Sequence, residues 1–155
     1  MLEKSLKLFA VVIFLSLFAF NSFAQSRIRG IQAKLFYQNT GIFSADIFTT
    51  QSDLWNVCFD YVYSTLVIIE VEGKGDGKQF ITPQKVEFWA RYKPFSGSNK
   101  EITLRKTAPI WFDEKGQANV GFWIDNVGCH PVNISAKIRG QKFLLRKTIN
   151  FGCGE

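Results

Sequence analysis

The sequence predicts an all-β fold, an antiparallel β-sandwich of about seven or eight strands, with a closed β-barrel as the alternative. Three observations carry this expectation. From Lys85 to Lys93, Val86, Phe88, Ala90 and Tyr92 alternate with Lys85, Glu87, Trp89, Arg91 and Lys93, and a period of two makes one buried and one wet face. Turn-forming clusters recur at short intervals: Gly73-Lys74-Gly75-Asp76-Gly77, Ser96-Gly97-Ser98-Asn99, Asp113-Glu114-Lys115-Gly116 and Asp125-Asn126-Val127-Gly128. Such clusters end strands rather than extend them. Between Thr65 and Glu72, Leu66-Val67-Ile68-Ile69 is continuously apolar, which suits a central strand covered on both faces.

The chain opens on a segment of another kind. Lys4 and Lys7 precede an apolar run from Leu8 to Phe20, broken by Ser16 and followed by Asn21-Ser22-Phe23-Ala24. A basic start, a short apolar stretch and small residues before a cut describe a secretory signal peptide, with Gln25 the first mature residue. The run is shorter than the roughly 20 apolar residues that span a bilayer, and no second long run follows. Residues 1–24 are therefore expected to be removed, leaving 25–155 as one exported domain without a transmembrane segment. Phe9, Phe14, Phe18, Phe20 and Phe23 leave with the leader; the remaining phenylalanines point to an aromatic-rich core.

Within that domain, Ile31 to Tyr37 reads as a strand with Ile31, Ala33, Leu35 and Tyr37 on one side. Asn39-Thr40-Gly41 turns it back along Ile42 to Phe48. From Ser52, the residues Leu54, Trp55, Cys58, Phe59 and Val62 follow helical spacing, with Ser52 or Asp53 placed to cap, so a short helix or turn is expected. Ile102 and Leu104 mark the inward side of Lys100 to Lys106. Ala118, Val120, Phe122 and Ile124 mark that of the next strand, and Val132, Ile134, Ala136 and Ile138 that of the one after.

Gly140-Gln141 fits a two-residue type II′ hairpin turn. It sets Arg139 opposite Lys142, so that Ile138 faces Phe143, Ala136 faces Leu145 and Val132 faces Ile149. Ile134 then faces Lys147, whose ammonium must lift to solvent at a sheet edge. The same ladder brings Cys129 opposite Gly152, one residue from Cys153. Export permits oxidation, so a Cys129–Cys153 disulfide is predicted, with a bulge or the strand end near Pro131 absorbing the slip. Cys58, between Val57 and Phe59, is left as a buried thiol.

Credible catalytic chemistry is scarce. The net charge of +6 becomes +5 once the leader's two lysines and one glutamate are gone. Its basic residues are spread over several strands, which reads as solubility charge rather than a nucleic-acid surface. His130, the one histidine, would need a converging serine and carboxylate to act as a base, and no Gly-x-Ser-x-Gly elbow occurs. With Cys129 engaged, a zinc site on His130 lacks ligands. Glu70 with Glu72, and Asp113 with Glu114, read as solvated charge rather than an acid–base pair. Gly73 to Lys78 is not a phosphate loop, since no helix follows it, and Asp76 lacks the acidic neighbours of a calcium loop. No metal or cofactor is expected. Asn133-Ile134-Ser135 matches a glycosylation acceptor but lies inside a predicted strand.

Trp89 is the more informative residue. Its strand turns Val86, Phe88, Ala90 and Tyr92 inward, so Trp89 should point outward between Glu87 and Arg91. Trp123 poses the same question beside Phe122 and Ile124. If both emerged on one open surface they would mark a binding face.

The general layout is similar to that of immunoglobulin-like domains, an analogy of architecture that carries no function. The expected activity is that of an exported, non-catalytic binding or surface-assembly module. Its partner would be a protein or glycan at the cell envelope or outside the cell, and not nucleic acid, engaged through Trp89, Arg91 and Trp123. The alternatives are a small secreted hydrolase using His130 with a carboxylate or serine, and a protease inhibitor presenting Lys93 to Lys100 as a rigid loop.

Overall fold

A computed structural model describes residues 26–50, 64–74, 81–95 and 100–152. The leader, the helical spacing from Ser52 to Val62, Cys58, Asp76, the loop tip from Ser96 to Asn99 and Cys153 lie outside the described residues. Among those described, eight strands follow in order: β1 (Arg27–Tyr37), β2 (Ile42–Phe43), β3 (Ser64–Glu72), β4 (Lys85–Tyr92), β5 (Ile102–Pro109), β6 (Gln117–Asp125), β7 (Val132–Ile138) and β8 (Leu145–Ile149). They form two four-stranded sheets, β2-β1-β3-β6 and β5-β4-β7-β8, and every strand pair is antiparallel. The sheets do not close into a barrel. In immunoglobulin terms β1-β3-β6 takes the A-B-E order and β5-β4-β7-β8 the C′-C-F-G order.

Alternation along each strand decides what lies between the sheets. Ile31, Ala33 and Leu35 of β1, Val67, Ile69 and Val71 of β3, and Ala118, Val120, Phe122 and Ile124 of β6 are buried from one side. Val86, Phe88, Ala90 and Tyr92 of β4 and Val132, Ile134, Ala136 and Ile138 of β7 meet them from the other. All belong to one continuous core. At its centre the Phe88 and Phe122 rings stack with centroids 4.6 Å apart and planes 4° from parallel. Burying one such ring contributes about 1.5–3 kcal/mol, and the stacked pair adds about 0.5–1.5 kcal/mol.

Five expectations need correction. β3 is central in its sheet, but its burial alternates along its length, so Leu66 and Ile68 are only half-buried, on an outer face that no second layer of described residues covers. The return strand expected over Ile42 to Phe48 stops at Phe43. Beyond it Ser44 N–H still donates to Leu35 C=O and Ile47 N–H to Ala33 C=O, but side-chain oxygens of Ser44 and Asp46 take the N–H groups of Leu35 and Ala33. Short polar side chains that bond the backbone in this way displace a regular ladder. Ile102, expected inside, is 41% exposed because β5 is an edge strand. The last hairpin keeps the predicted register, Val132↔Ile149 through Ala136↔Leu145, yet its turn differs. Gln141 N–H donates to Ile138 C=O and Gly140, with φ of +85°, occupies the third turn position, as in a type II turn. Ile138 therefore leaves the pairing with Phe143, and Phe143 is exposed.

Lys147 is the most instructive departure. It faces Ile134 as expected, but its ammonium does not rise to solvent. It reaches across the sandwich, donating to Ile31 C=O of β1 at 3.0 Å and lying 4.2 Å from the centroid of the Phe48 ring. On the opposite side Lys106, facing Phe88 from edge strand β5, donates to Trp123 C=O of β6 at 2.8 Å. Each lysine points inward from an edge of one sheet and occupies a backbone acceptor at the side of the other. Inward charge of this sort blunts edges that would otherwise pair with a second chain.

Gly116 ties two loops together. Its φ is +74°, its carbonyl accepts the Gly73 N–H, and a β-carbon there would collide with the Gly73 carbonyl oxygen. Gly116→Ala should therefore lower the midpoint of chemical denaturation, whereas Gly41→Ala, at a φ of +71° but with open space around it, should cost clearly less. Phe88→Ala should destabilise by about 3–5 kcal/mol in the same measurement, and a loss below about 1 kcal/mol would contradict a core centred on this ring.

Candidate binding face

The outer face of the β5-β4-β7-β8 sheet is assembled by register. Trp89 of β4 stands opposite Arg105 of β5 and Ser135 of β7, and Ser135 stands opposite Arg146 of β8. Residues opposed in an antiparallel ladder share a face. One row thus reads Arg105, Trp89, Ser135, Arg146. The next reads Thr103, Arg91, Asn133, Thr148, and the row on the other side Thr107, Glu87, Lys137.

Between the first two rows runs a groove of about 520 Å³, lined by Trp89, Arg91, Thr103, Asn133, Ser135 and Arg146 among others. Trp89 is half-buried and walls it. From the far row, Lys137 Nζ lies 5.7 Å from the Trp89 ring centroid, close enough for a cation–π attraction. Thr148 donates its hydroxyl to Asn133 Oδ1 at 3.0 Å, which holds the amide of the acceptor-like Asn133-Ile134-Ser135 in place.

Charge on this face is unequal. Glu87 receives Arg139 at 2.9 Å and Lys137 at 3.4 Å, and Glu101 receives Arg91 at 3.3 Å. Among the described residues Arg105 and Arg146 meet no carboxylate. The Arg139 hydrogen bond, with Lys137 adding to it, holds the Glu87 carboxyl below the ordinary glutamate value, against a smaller opposing effect of burial. The charges that sequence spacing scattered over β4, β5, β7 and β8 converge because the sheet aligns them. Arg105, Lys137 and Arg146 were not singled out from the sequence. The signal for Arg146 existed in the hairpin register, which already opposed it to Ser135.

Trp123 lies elsewhere. It is on the outer face of the β2-β1-β3-β6 sheet, with Phe36 edge-on at 6.0 Å and Phe43 tilted at 5.8 Å. It is 38% exposed. Trp89 and Trp123 thus occupy opposite outer faces and build no common surface, because Phe88 and Phe122 both point into the core between them. On Trp123's side Glu70 accepts from Gln32 and Glu72 from Arg27, so the two carboxylates on one side of β3 bond separate partners. Asp113 accepts the backbone N–H groups of Lys115 and Gln117, closing its turn.

His130 is exposed in the segment between β6 and β7, and Cys129 beside it is partly buried. Cys129 is disulfide-bonded; Cys58 and Cys153 both lie outside the described residues. Among the described residues no three His, Cys, Asp or Glu side chains cluster as metal ligands, and no helix is long and apolar enough to cross a membrane.

A carboxyl whose folded pKa is depressed contributes stability above its unfolded value and loses it as pH falls through the folded one. NMR titration should therefore place the Glu87 midpoint below the ordinary 4.5, and Arg139→Ala should raise it. An unchanged midpoint in that variant would mean that Arg139 does not hold the carboxylate. The chain matches no protein-family model, and no curated protein matches it.

Proposed function

We propose that this chain is an exported, non-catalytic binding module that engages its partner through the outer face of the β5-β4-β7-β8 sheet. The observation that carries the reading is the placement of Trp89. It is a large aromatic ring set half-exposed in a groove, beside Arg91 and in one row with Arg105 and Arg146, which meet no carboxylate among the described residues. A core residue would sit between the sheets. An aromatic on the outer face, with polar and cationic neighbours, offers contact area and orientation to a ligand at small entropic cost. Arg91 belongs to the same groove, and Trp123 is assigned to a separate aromatic patch with Phe36 and Phe43.

The leader-like first 24 residues support export, and the oxidised Cys129 is in keeping with it. Cys153 is the proposed partner of Cys129: in sequence the two lie three residues before Val132 and four after Ile149, the pair that ends the β7–β8 ladder. Such a cross-link would pin β8, the strand that carries Arg146. Peptide mapping without reduction should recover a Cys129–Cys153 peptide, and reduction should lower stability by on the order of 3 kcal/mol. Recovery of a Cys129–Cys58 peptide would overturn the pairing.

Capture by the envelope fraction and by concentrated culture medium of the producing cells tests the function itself. Trp89→Ala should lose most of that capture, with a melting temperature within about 4 °C of the parent, as expected for a surface change near 0.5 kcal/mol. Arg91→Glu should act in the same direction without touching the core. Full capture by both variants would refute a binding role for this face.

A further inference from the structure

The groove's chemistry narrows the partner, and this inference rests on the binding role of the Trp89 face. We propose that it takes an acidic glycan, with a sugar ring laid on Trp89 and the carboxylate or sulfate groups of neighbouring sugars held by Arg105 and Arg146. Strands are spaced about 4.8 Å apart. The Arg105 and Arg146 backbones, three spacings from each other across the same row, stand about 14 Å apart with Trp89 between them. That arrangement suits a chain of repeating negative charge crossing the strands, not a single anion.

Charge complementarity favours this occupant. Arg91, Arg105, Lys137, Arg139 and Arg146 share the face with Glu87 and Glu101, and those two carboxylates are already taken by Lys137, Arg139 and Arg91. Along the groove stand the short polar groups of Thr103, Asn133, Ser135 and Thr148, which match sugar hydroxyls in size and in bonding capacity. A protein partner fits less well, since the buried centre of a protein interface is largely apolar, whereas the groove beside Trp89 is lined mostly by polar side chains. A single-stranded nucleic acid is bound on successive aromatic platforms, and among the described residues the strands of this face present one, Trp89.

The test is a titration of the purified protein with oligosaccharides of polygalacturonate and of chondroitin sulfate. Neutral dextran oligosaccharides of equal length and an oligothymidylate of equal charge are the controls. At least one acidic glycan should bind, more weakly at high salt, and should compete with envelope capture; binding of polygalacturonate shows that carboxylates suffice, and binding of chondroitin sulfate alone, which carries both groups, shows that sulfate is required. Trp89→Ala and the exposed double variant Arg105→Ala/Arg146→Ala should each weaken that binding at least tenfold while keeping the parent's melting temperature. Equal binding of dextran, stronger competition by oligothymidylate, or full affinity in the double variant would overturn the assignment. Should Trp89→Ala lose envelope capture while neither acidic glycan binds, the glycan falls and the binding role stands. Should it keep capture, both fall.

Discussion

The stacked pair Phe88 and Phe122 is the contact from which the rest of the structure can be reasoned. Each lies in a central stretch of a strand that alternates strictly, β4 in one sheet and β6 in the other. Once both rings meet between the sheets, the phase of each strand is set, and a one-residue slip would turn every apolar side chain of that strand to water. The same constraint dictates the outer faces. Trp89 and Trp123 each follow a core ring by one residue, so they must point away from it, and away from each other. A single packing contact thus separates a polar, cationic face around Trp89 from an aromatic one around Trp123.

The sides of the sandwich are managed by charge. Lys106 and Lys147 look misplaced in sequence, being cations on the inward side of apolar strands. Both sit on edge strands, where a four-carbon stem can lie along the core while its ammonium reaches past it. Each finds a backbone carbonyl of the opposite sheet, at Trp123 and at Ile31, so neither cation is left without an acceptor at the core's margin. The cost of an inward charge is offset by a satisfied edge acceptor and by a side less open to pairing with another chain. Lys147 adds the Phe48 ring to its partners, which draws the irregular segment after β2 toward β8.

The outer charges depend on the sheet in a different way. Antiparallel pairing places side chains from distant parts of the chain within one strand spacing of each other, and it does so through backbone hydrogen bonds indifferent to what those side chains are. Arg105, Arg146 and Lys137 gain their common setting from that geometry. Glu87 is the counterweight, and it is occupied by Arg139 and Lys137. The residual positive charge sits beside Trp89, the one large aromatic among the described residues of these strands' outer face, and this sets the side apart from the aromatic patch around Trp123.

Much of this was legible in the residue order. Period-two patterning in Lys85–Lys93 and in the strands holding Phe122 and Ile134 determined the strands, their phase and hence the sandwich, because alternation acts within one strand and needs no partner. Even the β7–β8 register followed, since apolar residues had to meet apolar ones. What lay between elements was decided only by tertiary structure. The destination of Lys147, the shortness of β2, the exposure of Ile102 and the separation of Trp89 from Trp123 all depend on which strand lies at an edge and which sheet it joins. So does the gathering of Arg105 and Arg146 around one ring, for a local pattern records which way a side chain faces but not what another strand brings to meet it.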